Sequence, residues 1–72
     1  MNKCMIVLCM YDDLQEYGAI KVKECADRYG ISVSSFYRYL KLLNDYVGKR
    51  KFYKIVYDRK NQEYKLNKIN FV

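Results

Sequence analysis

Hydrophobic and polar residues alternate in four distinct rhythms along the chain, separated at Gly18, Gly30 and Gly48. From Lys3 to Tyr17, apolar residues fall at Cys4, Val7, Leu8, Tyr11 and Leu14, a spacing of threes and fours that predicts a helix over about 3–17. Met5, Ile6, Cys9 and Met10 make the same stretch apolar almost all round. It is therefore either a buried strand or, as we prefer, a helix whose second face is covered by a partner subunit. Ala19 to Val22 reads as briefly extended, and a second helix over about 22–29 would bury Val22, Cys25, Ala26 and Tyr29. Lys21 stands at its cap position, and lysine caps about 1 kcal/mol less well than Ser or Thr.

The third rhythm predicts a helix over about 33–47. At 100° per residue, Phe36, Leu40, Leu43 and Val47 share one inward sector, and Ser34, Tyr37, Arg38 and Lys41 fall opposite. Tyr39, Leu42 and Tyr46 form a strip beside the inward sector, fit either to pack on the first helix or to stay as an interaction surface. Beyond Gly48 and the basic run Lys49, Arg50, Lys51, the segment FYKIVYDRKNQEYKL holds two β-rich runs around Asp58 to Glu63, a hairpin signature over about 52–66. Ile55 and Tyr57 share one strand face and Tyr64 and Leu66 another. Asn61 is the residue best suited to a left-handed loop conformation, and Arg59 and Lys60 sit at the tip. The expected class is mainly α with a small β-sheet (α+β), three helices followed by a hairpin, in a single domain over 1–72. There is no proline, repeat or low-complexity tract to mark a linker.

Within this frame, VKECADRYGISVSSFYRYLK (Val22 to Lys41) reads as two helices joined by a tight turn. Ala26 is small where the helices cross, Gly30 can take the left-handed conformation that ends the first helix, and Ser32 can cap the second. Cys25, Tyr29, Ile31, Phe36 and Leu40 would supply the apolar contacts. This is a helix-turn-helix pattern, and the outward stripe suits a recognition helix. Short hydroxyls approach base edges or phosphates, arginine bonds guanine bidentately and lysine neutralises phosphate. Asp45 lies on the same side and would repel phosphate, which ends the contact one turn before the helix ends.

Seventy-two residues make one small domain with a thin core, for which oligomerisation would be an advantage. The net charge of +6 is uneven: residues 1–31 carry four basic and five acidic side chains, −1, so the remaining 41 carry +7. That asymmetry favours a polyanionic partner. Cys4, Cys9 and Cys25 lack C-x-x-C spacing and histidine is absent, so no metal site is expected, and the thiols read as reduced core residues in a cytoplasmic protein. The longest apolar run, Met5 to Tyr11, is too short for a membrane span, and Asp12 and Asp13 stand where a signal peptide would need small residues. With no phosphate-binding glycine loop and no nucleophile beside a base, neither catalysis nor a cofactor is expected; Asp12 and Asp13 read as solvated residues on the first helix.

The order helix, extended segment, helix, turn, helix, hairpin resembles the winged helix-turn-helix of bacterial transcription regulators over nearly the whole chain. It is most similar to the DNA-binding module of DeoR-type regulators and of the domain preceding WYL effector domains. There a segment like IKVKECADRYGISVSSFYRYLKLL precedes a strand pair like IVYDRKNQEYKL. Ala26-x-x-x-Gly30 followed by Ile31-Ser32, and the ending Tyr64-x-Leu66, carry the likeness. The resemblance implies sequence-specific binding of double-stranded DNA. Val33, Ser34, Ser35, Tyr37, Arg38 and Lys41 would enter the major groove, Arg59 and Lys60 would serve the wing, and a homodimer would pair through Met5, Ile6, Cys9 and Met10 or through the tail Ile69, Phe71 and Val72. The chain departs from the family in having uncharged Val33, Ser34 and Ser35 after Ser32, and Tyr39 where an Asp is usual. The alternatives are a winged helix used as a protein adaptor or inhibitor, and an RNA or single-strand binder stacking bases on exposed tyrosines.

Overall fold

A computed structural model describes residues 2–49 and 53–68. Asn2 opens α1 (Lys3–Tyr17), its side chain accepting the Met5 N–H at 2.9 Å, and Gly18 ends the helix at φ 78°, a left-handed conformation that costs a glycine little. Ala19–Ile20 form β1. Helix α2 (Val22–Tyr29) begins at Lys21 with no side-chain cap bond and closes on Gly30 at φ 63°. Ser32 then accepts the Ser35 N–H at 3.1 Å and starts α3 (Val33–Gly48). The helix runs through Gly48 rather than stopping before it, one residue beyond the expected end.

The hairpin strands are β2 (Tyr53–Asp58) and β3 (Glu63–Lys68), the expected wing displaced toward the C-terminus; Phe52 lies outside the described residues. Six antiparallel pairs run from Tyr53↔Lys68 to Asp58↔Glu63. The extended segment predicted after Gly18 is a strand because β3 supplies its partner, Ala19↔Lys65 and Ile20↔Tyr64, giving a three-stranded sheet of order β1-β3-β2. Strand alternation puts Ile20, Ile55, Tyr57, Tyr64 and Leu66 on one face, and Ile20, Ile55, Tyr64 and Leu66 pack toward the helices. The fold is α+β, three helices followed by a hairpin, the order of a winged helix-turn-helix.

The core consists of Ile6, Met10 and Leu14 from α1, Ile20, Cys25 and Ala26 from β1 and α2, and Phe36, Leu40, Leu43 and Val47 from α3. The α3 sector is the one expected. The α1 sector is not: Ile6 (3 % exposed) and Met10 (0 %) point inward, whereas Cys4 and Leu8 (51 %), expected inside, are exposed. The proposed dimer set Met5, Ile6, Cys9, Met10 therefore is not a surface; of its members only Met5 is exposed, and Cys9 is half-buried. The alternative tail, Ile69, Phe71 and Val72, lies outside the described residues.

A side-chain link between helices accounts for this rotation. Turning Ile6, Met10 and Leu14 inward carries Asp13 to α2, where its carboxylate accepts from Arg28 Nη1 at 2.9 Å and from the Tyr29 hydroxyl. On the opposite flank the same rotation sets Tyr11 edge-on to Tyr46, with ring centroids 5.8 Å apart. Asp13 is thus an interhelical acceptor and not the solvated residue expected. Burial, and after it the Asp13 hydrogen bond, raises the Tyr29 phenol well above its ordinary range. The thiols divide likewise: Cys25 is buried, Cys9 half-buried and Cys4 exposed. Among the described residues, no helix is long and apolar enough to cross a membrane.

Candidate nucleic-acid interface

Along α3, Ser34, Arg38, Lys41 and Asp45 follow one line at intervals of four, three and four residues, all exposed and opposite the buried sector. From Ser34 to Lys41 the line is about 10 Å long at 1.5 Å per residue, shorter than the roughly 12 Å width of the major groove. Val33 and Tyr37, each 48 % exposed, flank it. Ser35 is half-buried; its hydroxyl oxygen accepts from the Ser32 hydroxyl at 3.0 Å and its N–H donates to the Ser32 oxygen at 3.1 Å, so it takes part in the helix start.

The hairpin tip is organised by Asp58. Its Oδ1 accepts the N–H groups of Lys60 (3.0 Å) and Asn61 (3.3 Å), and its Oδ2 accepts from Asn61 Nδ2 and Lys65 Nζ, both at 2.9 Å. Lys65 and Asn61, the main donors, hold the Asp58 carboxyl down to about 2. With Asn61 tied to Asp58 by both its backbone and its side chain, the left-handed position passes to Gln62 at φ 54°, correcting the expectation of Asn61 there.

These bonds sort the wing's charges. Lys65 is neutralised by Asp58 at 2.9 Å and Glu63 at 3.7 Å, and Arg28 is held by Asp13 and stacks over the Tyr17 ring, 5.9 Å from its centroid. Among the described residues, Arg38, Lys41, Arg59 and Lys60 form no ion pair, and all four are exposed.

Aromatic rings join α3 to the hairpin, a connection that sequence reasoning missed. Tyr64 lies with its ring centroid 6.2 Å from Phe36 of α3 and 4.9 Å from Tyr57 across the hairpin. Tyr37 packs edge-on against Phe36 at 5.5 Å. Burial first, and then Tyr37, raises the Tyr64 phenol. The signal in the sequence was the symmetric placement of Tyr57 and Tyr64 one residue outside the Asp58–Glu63 pair; nothing there linked either to Phe36.

Away from this side, α1 and α3 leave a shallow apolar groove lined by Cys4, Val7, Leu8, Tyr11, Leu42 and Tyr46. Here the exposed apolar surface expected of α1 lies, on a different side of the helix. Among the described residues, no group of three or more Cys, Asp or Glu side chains is placed to hold a metal ion. No protein-family model, no curated protein and no solved structure matches the chain.

Proposed function

We propose that this protein binds double-stranded DNA sequence-specifically and regulates transcription, with the first half of α3 in the major groove and the hairpin tip on the flanking backbone or minor groove. One observation carries this: four exposed, unpaired cations stand on the recognition-helix line and the adjoining hairpin tip, while Arg28 and Lys65 are internally neutralised. Arg38 would bond a guanine or a phosphate, Lys41 a phosphate, and Ser34 a base edge or phosphate near the helix start. Arg59 and Lys60 would contact the flanking strand. The resemblance of Ile20 to Leu43 and Ile55 to Leu66 to DeoR-type modules supports the same assignment, as does the +7 charge of the last 41 residues.

A single module of this size supplies limited specificity, so the acting form is a homodimer reading two half-sites, in the cytoplasm. The test is selection of bound sites from a random duplex library. Enrichment of a palindrome is expected, its half-site spacing giving the dimer geometry; recovery of unenriched sequence would refute specific reading. A second reading, a protein-contact module, draws on the exposed Leu8 and Leu42 at the α1–α3 groove. It predicts partner binding that survives alanine at Arg38 and Lys41.

A further inference from the structure

Past the Ile20↔Tyr64 pair, β1 no longer accompanies β3, and the hairpin continues toward its tip as two strands and the loop 59–62. A two-stranded ribbon is marginal in water, so order at its tip needs a cause beyond strand pairing. Asp58 supplies one. Its Oδ1 accepts from the N–H groups of Lys60 at 3.0 Å and Asn61 at 3.3 Å, which closes a ring of bonds with Arg59 inside it, and its Oδ2 accepts from Asn61 Nδ2 at 2.9 Å. The Lys65 ammonium, also 2.9 Å from Oδ2, ties the same carboxylate back to β3. The Asp58 side chain is only 20 % exposed, whereas Arg59 and Lys60 stand in solvent. On charge alone this arrangement opposes a polyanion. Asp58 and Glu63 set two negative charges against the one positive charge of Lys65, −1 in all, at the base of the loop that carries the tip cations.

We infer that Asp58 is a positioning residue of the DNA interface: its side chain fixes the loop backbone that carries Arg59 and Lys60, and this hold outweighs the repulsion between its charge and phosphate. A loop ordered in advance gives up less conformational freedom when it is bound. The sign of the effect separates the two influences. Removing a carboxylate that faces a polyanion tightens binding if charge decides, and weakens it if presentation of the two cations decides. The DNA part of the inference rests on the proposed function; the hold on the loop does not.

The experiment has two arms on the full chain and two variants of equal charge. Asp58→Ala removes every bond that the side chain accepts, whereas Asp58→Asn keeps an oxygen for the Lys60 and Asn61 N–H groups and gives up the acceptor that meets Asn61 Nδ2 and Lys65 Nζ. In the first arm, 15N relaxation of residues 59–62 is compared without DNA, well below the melting temperature of each protein. Tip mobility should rise in Asp58→Ala and return most of the way to the wild-type value in Asp58→Asn; an unchanged tip in Asp58→Ala overturns the hold on the loop. In the second arm, duplex affinity is measured by anisotropy across a salt series, with Arg59→Ala plus Lys60→Ala as the reference for a wing that makes no contact. Losing those two phosphate contacts makes the log–log salt slope shallower by about 1.8. Asp58→Ala should weaken binding and move the slope part of the way toward that value although it adds one unit of positive charge, Asp58→Asn should not weaken it, and Asp58→Ala should cause no further loss in the Arg59→Ala, Lys60→Ala background. Tightening by both variants alike would show that charge decides, and weakening by both alike that the two amide bonds do not; either overturns the inference. Absence of duplex binding by the wild type rejects the DNA reading, and the relaxation arm still decides the hold on the loop.

Discussion

Replacing Arg38 and Lys41 together with alanine removes two of the four unpaired cations on the proposed interface while touching nothing that holds the fold. Both side chains are exposed and outside any ion pair among the described residues, and alanine is at least as good a helix former as either. Thermal melting should therefore be unchanged within a few degrees, which separates a binding effect from unfolding. Each phosphate neutralised contributes about −0.9 to the slope of log affinity against log salt, so four contacts predict a slope near −3.6 and the double variant one near −1.8. Between 50 and 200 mM salt the wild type should lose about 150-fold in affinity and the variant only about 12-fold. If Arg38 instead bonds a guanine, the slope changes by about 0.9 only, and a penalty of roughly 1–3 kcal/mol appears on the preferred site and vanishes on a scrambled duplex. Fluorescence anisotropy with the selected and a scrambled duplex at four salt concentrations distinguishes the two. Unchanged affinity and slope on both duplexes would falsify the docking of α3 in the groove.

The assignment of the α1 faces predicts that Leu14→Ala destabilises by about 2–5 kcal/mol, whereas Leu8→Ser stays within about 0.5 kcal/mol in urea unfolding; equal effects would contradict the rotation described above. Because the folded-state pKa of Asp58 is depressed from 3.8 to about 2, its stabilisation of the hairpin is complete above about pH 4 and is lost as pH falls through about 2. The Lys60 and Asn61 amide shifts should titrate in that acid range, and a midpoint near 4 would show that the Lys65 and Asn61 bonds do not hold in solution. Burial, with Asp13 second, pushes the Cys25 thiol up to about 11. At pH 8, iodoacetamide should label Cys4 much faster than Cys25 by mass spectrometry, and comparable rates would mean that the core opens readily.

Several features of the fold were legible because their causes are local. Gly18 and Gly30 end helices in the left-handed conformation, Ser32 caps α3, and Phe36, Leu40, Leu43 and Val47 sit on a single sector that only one rotation of α3 can bury. Polar residues opposite that sector had to be exposed, which is why Ser34, Arg38 and Lys41 were found from periodicity alone. Local chemistry misled at the hairpin tip. Asn61 is the better left-handed former in isolation, but Asp58 captures it and hands the position to Gln62.

The α1 helix marks where sequence stopped being sufficient. Its residues from Cys4 to Tyr11 are all apolar, so helical periodicity alone does not select one face over another. Contacts from elsewhere in the chain chose the face, with Arg28 and Tyr29 drawing Asp13 to one flank and Tyr46 drawing Tyr11 to the other. Ala19–Ile20 likewise became a strand only when β3 arrived to pair with it. By itself the sequence determined where helices begin and end, which side of α3 faces out and how charge divides along the chain, since these follow from backbone preference and periodicity within a few turns. Tertiary structure decided which side of an all-apolar helix is buried, which cations are neutralised and how the hairpin is aimed, since each depends on partners distant in sequence.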